Sequence, residues 1–182
     1  MIGCLIIARL SSSRLPQKNV LELNNIPMIV NLHDRIKKSK FIDRIIICTS
    51  DDVTDDPLEV ISKKNNLLIY RGSLNNIMER VCSAAFKFKL ENIVEILGDN
   101  PLIDSELIDC VIQYYLENNL DYACNISKDY QKELLLKKYK CFPIGLRVQI
   151  YKEKIAKQYT NFLNKVFVSD HPTNFIFENK KK

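Results

Sequence analysis

The chain has 182 residues, 46% of them hydrophobic and 27% charged, a balance that supplies the core of one ordinary globular domain. No run of about 18 consecutive apolar residues occurs, which argues against a membrane span. Three of the five net positive charges are the terminal Lys180, Lys181 and Lys182, so the body is close to neutral and lacks the basic face expected of a nucleic-acid binder.

Residues 2–7 are apolar and β-branched, lack a basic leader and run straight into Arg9; they read as a first core strand rather than a signal peptide. Residues 28–38 place Ile29, Leu32, His33 and Ile36 on one helical face. Residues 45–48 form a second strand, 56–65 a helix and 67–70 a third strand. Residues 76–89 read as a helix and 92–97 as a fourth strand. The clearest helix is 105–117, with Leu107, Ile108, Val111, Ile112, Tyr115 and Leu116 in one stripe and Asp104 as its N-cap. Residues 121–124 are a short strand, 126–140 lack periodicity, 142–151 read as a strand and 152–165 as a helix. The β-α-β-α order predicts an α/β protein with a mostly parallel sheet and helices on both faces. Ligands of such sheets bind beyond the carboxyl ends of the strands, which singles out loops 8–19, 49–56, 71–75 and 98–104.

In the first of these loops Arg9, Arg14 and Lys18 accompany Ser11, Ser12 and Ser13. Fixed cations and close-approaching donors suit a triphosphate, arginine as a fork and lysine as a point charge. Composition alone fits an exposed basic loop equally well; the position after the first strand favours phosphate. Neither a Walker A loop nor a G-x-G-x-x-G fingerprint is present, and four glycines cannot make a glycine-rich cradle. After the fourth strand comes Gly98-Asp99-Asn100-Pro101. Alone it is a turn; opposite a polyphosphate site, Asp99 suits magnesium, which takes a few carboxylates, phosphate oxygens and waters. The six cysteines form no C-x-x-C pair, and His33 and His171 are the only histidines. The expectation is reduced, mostly buried thiols in a cytoplasmic protein and no histidine-rich metal site.

Residues 8–18 match A-R-x-x-S-x-R-L-P-x-K, and with Thr49-Ser50-Asp51-Asp52, Arg71-Gly72-Ser73, Arg80 and Gly98-Asp99-Asn100-Pro101-Leu102-Ile103-Asp104 they resemble the SpsF-type cytidylyltransferases of polysaccharide biosynthesis. More distantly they are similar to the 3-deoxy-manno-octulosonate and acylneuraminate cytidylyltransferases. The resemblance covers about the first 125 residues. It implies a Rossmann-like three-layer α/β/α sandwich of the nucleotide-diphosphosugar transferase type. It implies transfer of CMP from CTP to a sugar acid with release of pyrophosphate; the choice of CTP rests on the resemblance alone. By matched position the resemblance implies that Arg9, Arg14 and Lys18 hold the triphosphate, that Ser12 and Ser13 donate to it, that Ala8 belongs to the nucleotide site, and that Arg14, Lys18 and Asp99 are catalytic. Asp99 binds Mg2+. Arg71, Gly72 and Ser73 frame the base, and Arg80 orients that loop or is a helix-surface arginine.

The sequence also departs from the family. Gln17 stands where relatives often carry Gly, tolerable if the backbone avoids positive φ. Arg147 and Gln149 stand where relatives carry carboxylates, and a cation cannot ligate magnesium. Asp170 is a candidate to stand in for them, and His171 is either a substrate contact or a structural loop histidine. Residues 1–182 are expected to form a single nucleotidyltransferase domain shortened at the C-terminus, a change that would expose apolar surface, favour a homodimer or reduce activity. Two other readings follow: a catalytically degenerate nucleotide-binding relative, and a nucleotide-sugar glycosyltransferase on the same fold.

Overall fold

Strand β1 (Ile2–Ile7) lies at the centre of the sheet because both of its faces are apolar. Cys4 and Ile6 pack into one hydrophobic layer and Leu5 into the other, so alternation along the strand buries every residue type it offers. A computed structural model describes residues 1–11, 15–126 and 143–163.

Among the described residues the main sheet has six strands, in the order Leu68–Gly72, Arg44–Ser50, β1, Asn92–Leu97, Gln149–Lys152 and Tyr122–Cys124. Strands β4 (Arg44–Ser50), β5 (Leu68–Gly72) and β6 (Asn92–Leu97) run parallel to β1 or to its neighbours. The register pairs Leu5 with Ile46 on one side and with Glu95 on the other. Strands β7 (Tyr122–Cys124) and β8 (Gln149–Lys152) close the far edge, with β8 antiparallel to both β6 and β7. Helices α1 (Met28–Ile36), α2 (Asp56–Lys64) and α4 (Ser105–Glu117) contribute Ile29, Leu58 and Ile108 to one layer. Helices α3 (Ile77–Phe88) and α5 (Glu153–Leu163) contribute Val81 and Ala156 to the other. The architecture is therefore the expected α/β/α sandwich with a mostly parallel sheet. Asp104 caps α4 as expected, accepting from the backbone N–H groups of Glu106 at 2.9 Å and Leu107 at 3.1 Å.

Two local expectations change. The strand expected over 142–151 is shorter, with Ile144–Leu146 forming a 3-10 turn before β8. Pro143 has no N–H to give a sheet, and its carbonyl instead accepts from Leu146 N at 2.9 Å. Strands β2 (Glu22–Leu23) and β3 (Ile26–Pro27) form an unforeseen hairpin, whose turn residues Asn24 and Asn25 have φ of 53° and 63°. Asparagine tolerates this left-handed conformation, and two such residues make the tight turn that strand twist favours.

Gln17 is also left-handed, with φ of 56°, so the backbone does not avoid positive φ at that position. A side chain there costs about 1 kcal/mol relative to glycine. Replacing Gln17 with Gly is expected to raise the melting temperature by about 2–4 °C in a chain of this size, measured by thermal unfolding; an unchanged or lower value would show that the loop carries no such strain.

Candidate active site

The strand order places a topological switch beside β1. The chain leaves β1 towards β4 on one side and later returns to β6 on the other. Helical connections diverge from such a point and leave a crevice at the carboxyl edge. A cavity of about 240 Å³ lies there, lined by Ala8, Arg9, Lys18 and Asn19 from the β1 side and by Leu97 and Asp99 from β6.

The two strand ends approach closely because their residues are small. Gly98 N donates to Ile7 O at 2.8 Å. A Cβ on Gly98 would sit 2.9 Å from Ala8 Cβ and 3.2 Å from both Ile7 O and Asn19 Oδ1. Ala8 and Gly98 thus set the width of the crevice floor. Asn19 is buried, and its Nδ2 donates to Arg9 O at 3.1 Å, tying the return of the cationic loop to its start. Lys18 Nζ lies 2.6 Å from Asp99 Oδ2, with the two side chains 22% and 41% exposed. The cation of the β1 loop and the carboxylate of the β6 turn therefore face each other across the crevice and remain open to solvent.

The segment between β5 and α3 forms the third wall, where Ile77 lines the cavity. Arg9 Nη1 donates to Leu74 O at 3.2 Å, and Arg80 Nη1 donates to Ser73 O at 2.6 Å. Arg80 is completely buried, so it is not a helix-surface arginine. Ser73 Oγ accepts from Asn76 N at 3.2 Å, and Asn76 caps α3 by accepting from Glu79 N at 3.0 Å. Gly72 O accepts from Asp51 N at 2.8 Å. A Cβ on Gly72 would meet Tyr70 Cε1 at 2.8 Å and Arg80 Cγ at 3.2 Å. Arg71 points elsewhere: its guanidinium reaches Asp56 and Glu59 of α2 at 2.7 Å each, and the carbonyls of Ser50 and Asp52 at 3.1 and 2.8 Å. The hydrogen-bonded Glu59 carboxylate raises the Arg71 pKa further above its ordinary value. In this structure Arg71 braces α2 against the strand ends rather than offering its charge to a ligand.

Two positioning groups escaped the sequence reading. Asp55, 1% exposed, accepts from Leu10 N at 2.7 Å, Thr49 Oγ1 at 2.9 Å and Ser50 N at 3.2 Å, and also from the Ser50 hydroxyl. It joins the β1 loop to the end of β4. Arg35 of α1 donates from Nε to Ile103 O at 2.7 Å and from Nη2 to Leu102 O at 3.3 Å, holding the turn that follows Asp99. Asp52, the cap of the Val53–Asp55 turn, has its carboxyl held below the usual range, first by the Thr54 hydroxyl.

Ser12, Ser13, Arg14, Asp170 and His171 lie outside the described residues. Gln149 opens β8 and Arg147 stands two residues before it, where Arg147 Nη2 donates to Gln149 Oε1 at 2.7 Å. The five described cysteines are all free, but only Cys4 and Cys48 are fully buried, fewer than expected, and Cys110 is exposed. Burial pushes the Cys48 thiol up to about 12, so it stays protonated at neutral pH. No group of three or more His, Cys, Asp or Glu side chains that could hold a metal occurs among the described residues. A groove of about 490 Å³ between α4 and β7 is larger than the switch-point cavity, but no charged side chain lines it. Among the described residues no helix is long and apolar enough to cross a membrane.

A mostly parallel, doubly covered sheet with its polar crevice at the switch point is a Rossmann-like fold. A cytidylyltransferase structure from Leptospira borgpetersenii superposes on it with a TM-score of 0.80 and 28% identity, covering 98% of this chain and 71% of the other. The structure of CMP:2-keto-3-deoxy-manno-octonic acid synthetase complexed with CTP shares the fold, with a TM-score of 0.71 at 15% identity over 95% of this chain and 80% of the other. The chain belongs to the cytidylyltransferase family, whose model matches residues 3–178. Relatives include the uncharacterized protein MJ1063 of Methanocaldococcus jannaschii, 31% identical over 96% of this chain and 66% of its own length. The spore coat polysaccharide biosynthesis protein SpsF of Bacillus subtilis is 34% identical over 65% of this chain and 51% of its own length. A 3-deoxy-manno-octulosonate cytidylyltransferase of Chloroherpeton thalassium is 29% identical over 62% and 45%. The chain thus spans about half to two thirds of the length of these relatives.

Proposed function

We propose that the chain transfers CMP from CTP to a sugar acid, releasing pyrophosphate, in the building of a surface polysaccharide or other glycan. The observation that carries this reading is the 2.6 Å contact of Lys18 with Asp99 across the switch-point crevice. A cation and a carboxylate so placed suit a polyphosphate and its counter-cation, respectively. The choice of CTP follows from the family and from the relatives named for cytidylyl transfer.

The donor set fits magnesium in kind. Asp99 offers one partly exposed hard carboxylate, and this ion commonly binds through one or two carboxylates together with substrate phosphates and water. When bound, the ion neutralises charge on the phosphate oxygens. Arg9 and Lys18 would bind the triphosphate, Lys18 leaving Asp99 for a phosphate oxygen and Arg9 keeping Nη1 on Leu74 O while its other N–H donors meet the phosphate. Asp99, freed of the lysine, would hold the ion. A hydroxyl oxygen of the acceptor attacks the α-phosphorus and gives up its proton to solvent, the bond to the bridging β-phosphate oxygen breaks, and pyrophosphate leaves with that electron pair. Catalysis is then positioning and charge stabilisation by groups already gathered at the crevice.

The test is pyrophosphate release from CTP, ATP, GTP and UTP with magnesium and a panel of 2-keto-3-deoxy sugar acids. Release with CTP and an acid acceptor is the expected result. CTP binding with no release from any pair would favour the degenerate nucleotide-binding relative, and turnover of a nucleotide sugar instead would favour the glycosyltransferase.

A further inference from the structure

We propose that Arg80 is a positioning residue for nucleotide binding, kept at the expense of fold stability, which holds the Ser73–Leu74 carbonyls in place for Arg9. The proposal rests on reading the switch-point cavity as a nucleotide site. Arg80 leaves the first turn of α3, and its side chain reaches back over the segment that leads into the helix. Its Nη1 donates to Ser73 O at 2.6 Å, and the next carbonyl, Leu74 O, accepts from Arg9 at 3.2 Å. Two successive carbonyls of one cavity wall are thus held by two arginines, one from beneath and one from the cationic loop.

The surroundings of Arg80 are otherwise poor for a cation. It is 0% exposed, and Nε and Nη2 make no hydrogen bond to the described residues. The neighbouring Cys48 is a buried thiol, a weak acceptor, and the buried Glu95 carboxylate, which also acts on Cys48, accepts from the Tyr151 hydroxyl and makes no ion pair with Arg80. None of the ion pairs among the described residues includes Arg80. A buried charge whose hydrogen-bond partners, Ser73 O and the Cys48 thiol, are both neutral is costly, and an apolar side chain of similar length in such a place is often neutral or stabilising. A group that does not earn its place in the core is accounted for by what it positions. Without the guanidinium, Ser73 O loses its donor and Leu74 O is free to turn away. Arg9 then loses the contact that keeps it extended at the cavity mouth, so the nucleotide must order it on binding.

The test uses the full chain and its Arg80→Met and Arg80→Lys variants, in thermal unfolding and in CTP titration with magnesium. For Arg80→Met the expected melting temperature equals or exceeds that of the wild type, while the Kd for CTP rises at least tenfold. Where turnover is measurable, KM for CTP rises with kcat little changed. Arg80→Lys, which retains a donor for Ser73 O, recovers most of the affinity. Wild-type CTP affinity in Arg80→Met, or a drop of several degrees in its melting temperature, would overturn the proposal by showing a bystander or a purely structural residue. A wild-type chain that binds no CTP would instead remove the nucleotide reading itself.

Discussion

Replacing Asp99 with Asn is expected to cut pyrophosphate release by at least about 10²–10³-fold, the loss typical of one transition-state charge contact. The same substitution should tighten CTP in metal-free buffer. In the wild type, Lys18 is held 2.6 Å from Asp99, so a phosphate must first take the lysine away from its carboxylate. A partly exposed pair of this kind is worth about 0–1 kcal/mol, which limits the gain to about fivefold. With magnesium present the order reverses, because the ion and the lysine no longer compete for one carboxylate in the wild type, whereas the amide offers the ion little. Metal and nucleotide should therefore strengthen each other in the wild type, by the same factor in either order, and the coupling should vanish in Asp99→Asn. Removing the metal from the wild type with EDTA should likewise stop turnover. Calorimetric titration of each ligand in the presence and absence of the other measures the coupling. Equal metal dependence in wild type and variant would remove Asp99 from the metal's shell.

The second large effect falls on stability. Asp55→Ala should lower folding free energy by about 3 kcal/mol, since it strands buried donors that a charged acceptor now satisfies. In a chain of this length that corresponds to about 6–12 °C in melting temperature. The donors involved are Leu10 N, Thr49 Oγ1 and the N–H and hydroxyl of Ser50, so both the β1 loop and the end of β4 lose their common anchor. CTP affinity should fall with stability because Arg9 precedes the loosened Leu10. Asp55→Asn, which keeps an acceptor oxygen, should fall between. A melting temperature within a degree of wild type would show that the four contacts are not energetically real.

The layered fold was readable from residues because period and composition agree along most of the chain. In β1, β4 and β6, apolar residues point to both faces, a pattern expected of strands covered on both sides. The stripe in α4, apart from Leu116, which turns out to be exposed, and its Asp104 cap were likewise local signals. What remained hidden depends on long-range partners. The reversed direction of β8 is set by pairing with β6, which no local pattern encodes. Asp55 looks like any acid at a helix start until Leu10 N meets it from 45 residues away. Arg80 has the composition of an exposed helix face, and its burial comes from packing against β4 and β5. Gln17 adopts a conformation that its residue type disfavours. The Asn24-Asn25 turn was a local signal that could have been read.

Lys18 and Asp99 could be placed at one sheet edge from strand order alone, but their direct contact required coordinates. Arg71 shows the opposite case. Its position after β5 suggested a ligand contact, and only the acidic first turn of α2 explains where its charge goes.

The most direct measurement is a crystal structure of the chain with magnesium and a non-hydrolysable CTP analogue. The triphosphate should lie in the crevice between β1 and β6, with Lys18 on a phosphate oxygen, Asp99 on the metal and the 2.6 Å Lys18–Asp99 contact broken. A nucleotide bound elsewhere, or one seated there with that contact intact, would contradict the account.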